Sequence, residues 1–129
     1  MIDQQLAKNL IRDAQYHAPN ECCGLLFMER DRIIISALTN ISHDPEHQFF
    51  INHQDVLDAQ VRHGDFPLAL YHSHPNASPV PSPKDCQLMD ALEVCKLPLA
   101  MVIIGLNPPM VRVYEKQGHV YRKIEEVAG

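Results

Sequence analysis

The chain has 129 residues, 46% of them hydrophobic, with 16 acidic and 11 basic side chains and a formal charge of −5. That length and apolar content suit one domain, residues 1–129, whose core needs no disulfides. The acidic balance, the lack of Trp and the presence of only four Phe exclude a broad basic face or a base-stacking platform, so no nucleic-acid partner is expected.

The opening MIDQQLAKNL lacks the cationic and apolar regions of a secretory signal. Its apolar residues recur as Ile2, Leu6, Leu10 and Ala14, with Ala7, Ile11 and Ala18 beside them, so an amphipathic helix is predicted, ended by Pro19 and Asn20. Cys22 to Met28 is apolar throughout and reads as an interior strand. Glu29-Arg30-Asp31-Arg32 turns it into a second strand, Ile33 to Leu38. A further short strand is expected at Gln48 to Ile51. Val56, Leu57 and Val61 suggest a second helix, closed by Gly64. Leu68 to His72 is another buried strand, and a helix runs from Ser82 to about Lys96. Leu99 to Ile104 is a further apolar strand, followed by a Gly-Leu-Asn-Pro-Pro turn. Val111 to Glu115 and His119 to Ile124 form a hairpin around Gln117-Gly118. Helices interspersed with strands, some continuously apolar, make an α/β or α+β layered domain.

No apolar run approaches the ~20 residues of a membrane span, so no membrane partner is expected. The four cysteines, Cys22, Cys23, Cys86 and Cys95, include no C-x-x-C pair. They read as small buried side chains of a reduced, cytoplasmic protein.

The segment YHSHPNASPVPSPKDCQLMD, residues 71–90, carries the chemistry. Side chains alternate across a strand, so His72 and His74 share a face while Ser73 turns away. Such a pair grips one ion without backbone distortion, although H-x-H alone also describes two surface histidines at a strand end. Eleven residues on, Asp85 lies in a Ser-Pro-Lys-Asp phrase with two compatible readings. Ser82 caps a helix with Pro83 in its first turn, and the same helix start holds Asp85 rigidly as a ligand. Two imidazoles and one carboxylate leave a fourth position open, which is the pattern of a catalytic metal rather than a structural one, and the ligand types fit zinc. Glu21, just ahead of the first strand, is either an exposed acid or the base such a site needs. His17, His43, His47, His53, His63 and His119 have no useful mutual spacing and are expected at the surface; of these, His43 and His47 are the two placed to line a cleft.

Taken together, Glu21, then His72-Ser73-His74-Pro75, six residues, and Ser82-Pro83-Lys84-Asp85 resemble the signature of the JAMM metalloproteases, the catalytically competent branch of the MPN domain family, in its compact prokaryotic or phage form. The phrase Glu-Cys-Cys-Gly-Leu-Leu is similar to the opening strand of bacterial and archaeal members, and the order of elements agrees over most of the chain. The resemblance implies a curved, mixed sheet flanked by helices. It also implies one zinc ion held by His72, His74 and Asp85 with water in the remaining position. Glu21 would activate that water and shuttle its proton, Ser82 would hydrogen-bond the oxyanion, and Pro75 would shape the loop. No motif position is substituted.

The implied reaction is hydrolysis of a peptide or isopeptide bond, with a ubiquitin-like or sulfur-carrier protein as the expected partner. Short members that act on cell-wall peptides alongside phage tail proteins are the alternative within the same fold. Three rivals differ in kind. A zinc nucleoside deaminase needs H-x-E and P-C-x-x-C, and neither occurs. A cysteine hydrolase would use Cys22, Cys23 or Cys86 and be silenced by thiol reagents. A non-enzymatic MPN-type scaffold would hold no stoichiometric metal.

Overall fold

A computed structural model of the protein describes residues 1–97 and 99–129. Three helices and six strands follow in the order α1 (Gln4–His17), β1 (Cys23–Glu29), β2 (Arg32–Leu38), α2 (His53–His63), β3 (Ala69–His74), α3 (Pro83–Val94), β4 (Ala100–Leu106), β5 (Pro109–Gln117) and β6 (Val120–Ala128). The strands form one open sheet, ordered β2-β1-β3-β4-β5-β6. It is mixed: β3 and β4 run parallel, joined by the crossover through α3, and every other neighbouring pair is antiparallel. The mixed α/β class read from the sequence is the one observed.

Local chemistry explains most boundaries. Asp3 caps α1 by accepting the Leu6 amide (2.8 Å). The stripe Leu6, Ala7, Leu10, Ile11 and Ala14 is buried as the periodicity requires, whereas Ala18 lies past the helix and is exposed. Arg30 and Asp31 both take positive φ (51° and 65°) in the two-residue loop between Glu29 and Arg32, the handedness that matches the twist of a hairpin. Gly118 (φ 65°) supplies the same sense of turn between β5 and β6. β5 extends beyond the expected Val111–Glu115 at both ends, whereas β6 begins one residue after the expected His119 and runs on past Ile124 to Ala128.

The sheet separates two apolar layers. On one face α1 packs over Leu26, Ala69, Tyr71, Val102, Ile104, Val111 and Val113. On the other, Ala59 of α2 and Met89 of α3 meet Leu25, Phe27, Leu70, Met101, Ile103 and Tyr114. Leu10 is fully enclosed, and truncating such a residue to Ala costs about 2–5 kcal/mol.

Two expectations are corrected and one is met. The segment Gln48–Ile51 is not a strand but contributes a single bridge, Asn40 to Ile51, because the Asn40 side chain takes the Gln48 carbonyl and the Phe50 amide that a ladder would need. α2 forms where it is expected, closed by Gly64; Val56, Ala59, Gln60 and His63 turn toward the sheet, while Leu57 is exposed and Val61 is 89% exposed. His63 is not a surface histidine: it is half-buried against Phe27, ring centroids 5.2 Å apart. Among the described residues, no helix is long and apolar enough to cross a membrane.

Candidate metal centre

β3 lies in the middle of the sheet and all six of its residues are buried. Its alternation sends Leu70, His72 and His74 toward α2 and α3, and Tyr71 and Ser73 toward α1. Ser73 ties the two strands behind the histidines: its hydroxyl accepts the Cys22 amide (2.8 Å) and its own amide donates to the Cys22 carbonyl (3.1 Å). Cys23 stands opposite His72 in the register, so Glu21 is delivered beside the histidine pair although 51 residues separate it from His72.

α3 supplies the third group. Ser82 caps it and Pro83 occupies its first turn. Its capping box is complete, with Asp85 N–H donating to Ser82 Oγ (3.1 Å) and Ser82 N–H donating to Asp85 Oδ2 (2.9 Å). The capping reading of Asp85 therefore holds, and the same helix start brings its carboxylate to the histidine pair. His72 Nε2 is 3.1 Å from His74 Nε2 and 3.1 Å from Asp85 Oδ1, and His74 Nε2 is 3.2 Å from Asp85 Oδ2. The ligand-type atoms of all three residues lie within 4.8 Å of one another.

This donor set fits a cation. His74 Nδ1 donates to the Ser78 carbonyl (2.9 Å), which leaves its Nε2 lone pair facing the centre. Two imidazole nitrogens and a carboxylate thus converge, with too few protons to satisfy every short contact. Burial holds the fully enclosed His72 below its ordinary pKa, in the neutral form a metal needs. Burial pushes the Asp85 carboxyl up, but the His72 and His74 rings beside it outweigh that effect and hold the group well below the carboxylate range. His74 is pulled down by burial and raised, on balance, by Asp85 and the Ser78 carbonyl. His72 Nδ1 is buried without a hydrogen-bond partner, and Phe49 stacks on the ring (centroids 4.6 Å apart).

Glu21 is 7% exposed. Burial pushes its carboxyl up to about 7, with His74 opposing and Asp85 reinforcing the shift. A carboxyl in that range takes and returns a proton near neutral pH. Ser82 accepts a bond from Asp85, and its hydroxyl hydrogen remains available to donate. Glu21, His74, Ser82 and Asp85 all line one cleft of about 930 Å³, whose apolar lining includes Val56, Leu70, Leu88 and Leu99. His47 lines it as expected and pairs with Asp44 (3.0 Å), whereas His43 is exposed outside it.

The cysteine alternative finds no support. Cys22 and Cys23 are buried and Cys86 is half-buried; burial pushes the first two thiols up to about 12 and raises that of Cys86, opposite to the shift a nucleophile requires.

Four contributors were not visible in the sequence. Phe49 packs on His72, and Asn40 bonds the Glu21 carbonyl (3.0 Å). The Ser78 carbonyl orients His74, and the Tyr114 hydroxyl donates to the Pro79 carbonyl (2.9 Å). Ser73 was partly legible, since H-S-H in a strand already puts the serine on the opposite face.

The chain is similar to known proteins. The profile of a family described as prokaryotic homologs of the JAB domain matches residues 3–116. A desampylase of Haloferax volcanii is 32% identical over 73 residues, 52% of each chain, so this chain spans about half the length of the curated relative it matches. A protein of Desulfitobacterium hafniense, solved in solution, is similar at 27% identity with a TM-score of 0.69, covering 95% of this chain and 87% of that one.

Proposed function

We propose that this chain, which belongs to the family of prokaryotic homologues of the JAB domain, the JAMM/MPN group, is a zinc-dependent hydrolase. It cuts an amide bond at the C-terminal tail of a ubiquitin-like or sulfur-carrier protein. The observation that carries the reading is the convergence of His72, His74 and Asp85 beside Glu21, a buried carboxyl whose pKa stands at about 7. The desampylase relative supports an isopeptidase or peptidase acting on a ubiquitin-like protein. Residues 1–129 act as one domain, in the cytoplasm, where the four thiols stay reduced.

His72, His74 and Asp85 would hold one zinc ion, since two nitrogens and an oxygen with an open position suit that metal. Bound there, zinc supplies a Lewis acid that polarises the scissile carbonyl and makes water acidic near neutral pH. The remaining work falls to the protein. Glu21 takes the proton of the attacking water and returns it to the leaving amine nitrogen. Ser82 donates its hydroxyl hydrogen to the carbonyl oxygen as negative charge grows there, an interaction stronger in the transition state than in the ground state. The Asp85–Ser82 capping box keeps that hydroxyl and the carboxylate in fixed relation. The cleft leading from Glu21 and Ser82 receives the extended tail.

The test is to incubate the zinc-loaded protein with small ubiquitin-like proteins bearing C-terminal extensions and to weigh the products by mass spectrometry. Trimming at the tail that disappears in Glu21→Gln, with zinc still bound, is the expected result. Stoichiometric zinc with no cleavage of any such protein defeats the substrate assignment. Full activity in Glu21→Gln defeats the assignment of the base.

A further inference from the structure

Asn40, two residues beyond β2, makes five hydrogen bonds through one carboxamide. Its Nδ2 donates to the carbonyls of Glu21 (3.0 Å) and Gln48 (3.0 Å), and shares a hydrogen with that of Pro45 (3.4 Å). Its Oδ1 accepts from the amides of Ser42 (3.0 Å) and Phe50 (3.2 Å). The Pro45 carbonyl in turn accepts the Glu21 amide (2.7 Å), and the Ile41 amide donates to the Phe50 carbonyl (2.9 Å). Both polar main-chain groups of Glu21 are therefore held, one by Asn40 directly and the other by a carbonyl that Asn40 also bonds. Residues 41–51 close around the same carboxamide. That loop carries His47, Phe49 and Phe50 into the cleft wall and sets Phe49 against His72. Only a primary amide of this length offers two donor hydrogens and an acceptor at these positions. Asp keeps the shape but loses the donors.

We propose that Asn40 is a positioning residue for hydrolysis. Its carboxamide fixes the Glu21 main chain beside the His72–His74–Asp85 cluster, and the same bonds hold loop 41–51 as the opposite wall of the substrate cleft. The proposal rests on the hydrolase reading. Asn40 bonds none of the three cluster residues, so its action on catalysis passes through Glu21 and the wall rather than through metal binding. A small misplacement of a reacting group is enough to slow turnover greatly.

Two variants test it. Asn40→Ala removes all five bonds. Asn40→Asp keeps the acceptor for Ser42 and Phe50 and removes the donors to Glu21 and Gln48. Zinc titration of the metal-free proteins should give one site, with Kd within about threefold of wild type in both. Turnover of a ubiquitin-like protein fused through its tail to a short peptide should fall at least about tenfold in kcat in both. Hydrogen exchange of the metal-free proteins supplies a readout independent of activity. The Glu21 amide should exchange at least about tenfold faster in both variants, the Phe50 amide only in Asn40→Ala, and the Ser73 amide in neither. Glu21 exchange equal to wild type, or zinc affinity falling as far as kcat, overturns the proposal. If Asn40→Ala does not fold, Asn40→Asp decides by the same measures. A wild-type protein that binds zinc but cleaves nothing sinks the hydrolase reading, while the exchange data still decide whether Asn40 holds Glu21.

Discussion

Replacing Glu21 by Gln in the metal-free protein removes a carboxyl that folding makes harder to ionise. In the unfolded chain the group titrates near 4.5, and in the folded protein burial moves it to about 7. Below pH 4.5 both states carry the proton and the group adds nothing to pH dependence. As pH rises from 4.5 to 7, the unfolded chain releases the proton while the folded one retains it, so the wild type loses stability over that window. Above 7 both are ionised and the loss stays constant. At 1.36 kcal/mol per unit the full penalty is about 3 kcal/mol, and the open cleft beside the carboxyl lowers it to about 2 kcal/mol. Gln, close in shape and never charged, escapes the penalty. Urea unfolding with EDTA should therefore show Glu21→Gln and wild type alike below pH 4.5, the variant gaining steadily to about 2 kcal/mol by pH 8. Saturating zinc should shrink the gain, because a divalent cation nearby favours the charged carboxylate. A difference that does not change with pH would refute the claim that Glu21 is buried at the expense of its charge.

Three more outcomes follow from the same geometry. Asp85→Asn keeps a side-chain oxygen for the Ser82 amide but removes the ligand charge, so zinc affinity should fall at least about tenfold while helix content by circular dichroism stays unchanged; parallel loss of both would mean that the cap, not the cluster, explains the residue. Tyr114→Phe frees the Pro79 carbonyl one residue from the Ser78 carbonyl that orients His74, and should weaken zinc binding about tenfold at a stability cost of about 1 kcal/mol. Calorimetric titration and thermal unfolding measure the two effects, and unchanged affinity would show that the loop holds its shape without the tyrosine. Iodoacetamide at pH 7 should leave tail cleavage intact while a chelator abolishes it, since the buried Cys22 and Cys23 thiols stay protonated; inhibition by alkylation would reopen the cysteine route.

Much of the site was legible because its logic is local. Two-residue alternation put His72 and His74 on one face, and Ser-Pro-Lys-Asp described a helix cap at Asp85 that does not depend on the rest of the fold. The supporting residues were illegible for the opposite reason. Asn40 meets Glu21 across 19 residues and Tyr114 meets Pro79 across 35, and no pattern of spacing reveals such pairs. The helix α2 was legible but its packing face was not, since Leu57 and Val61 are exposed and the smaller Ala59 is the buried residue. Gln48–Ile51 looked like a strand because its composition was right, yet a side chain had claimed its hydrogen bonds.

The sequence by itself determined most of the elements, the mixed α/β class and the identity of the chemically able groups, since these depend on side-chain periodicity, capping and residue type. Only the tertiary structure decided that Glu21 is enclosed rather than exposed, that three ligand-type atoms meet at one point, and that loop 41–51 walls the cleft. Those properties arise from desolvation and from contacts between distant segments, and both come into being only when the sheet assembles β1 beside β3 and brings α3 over its end.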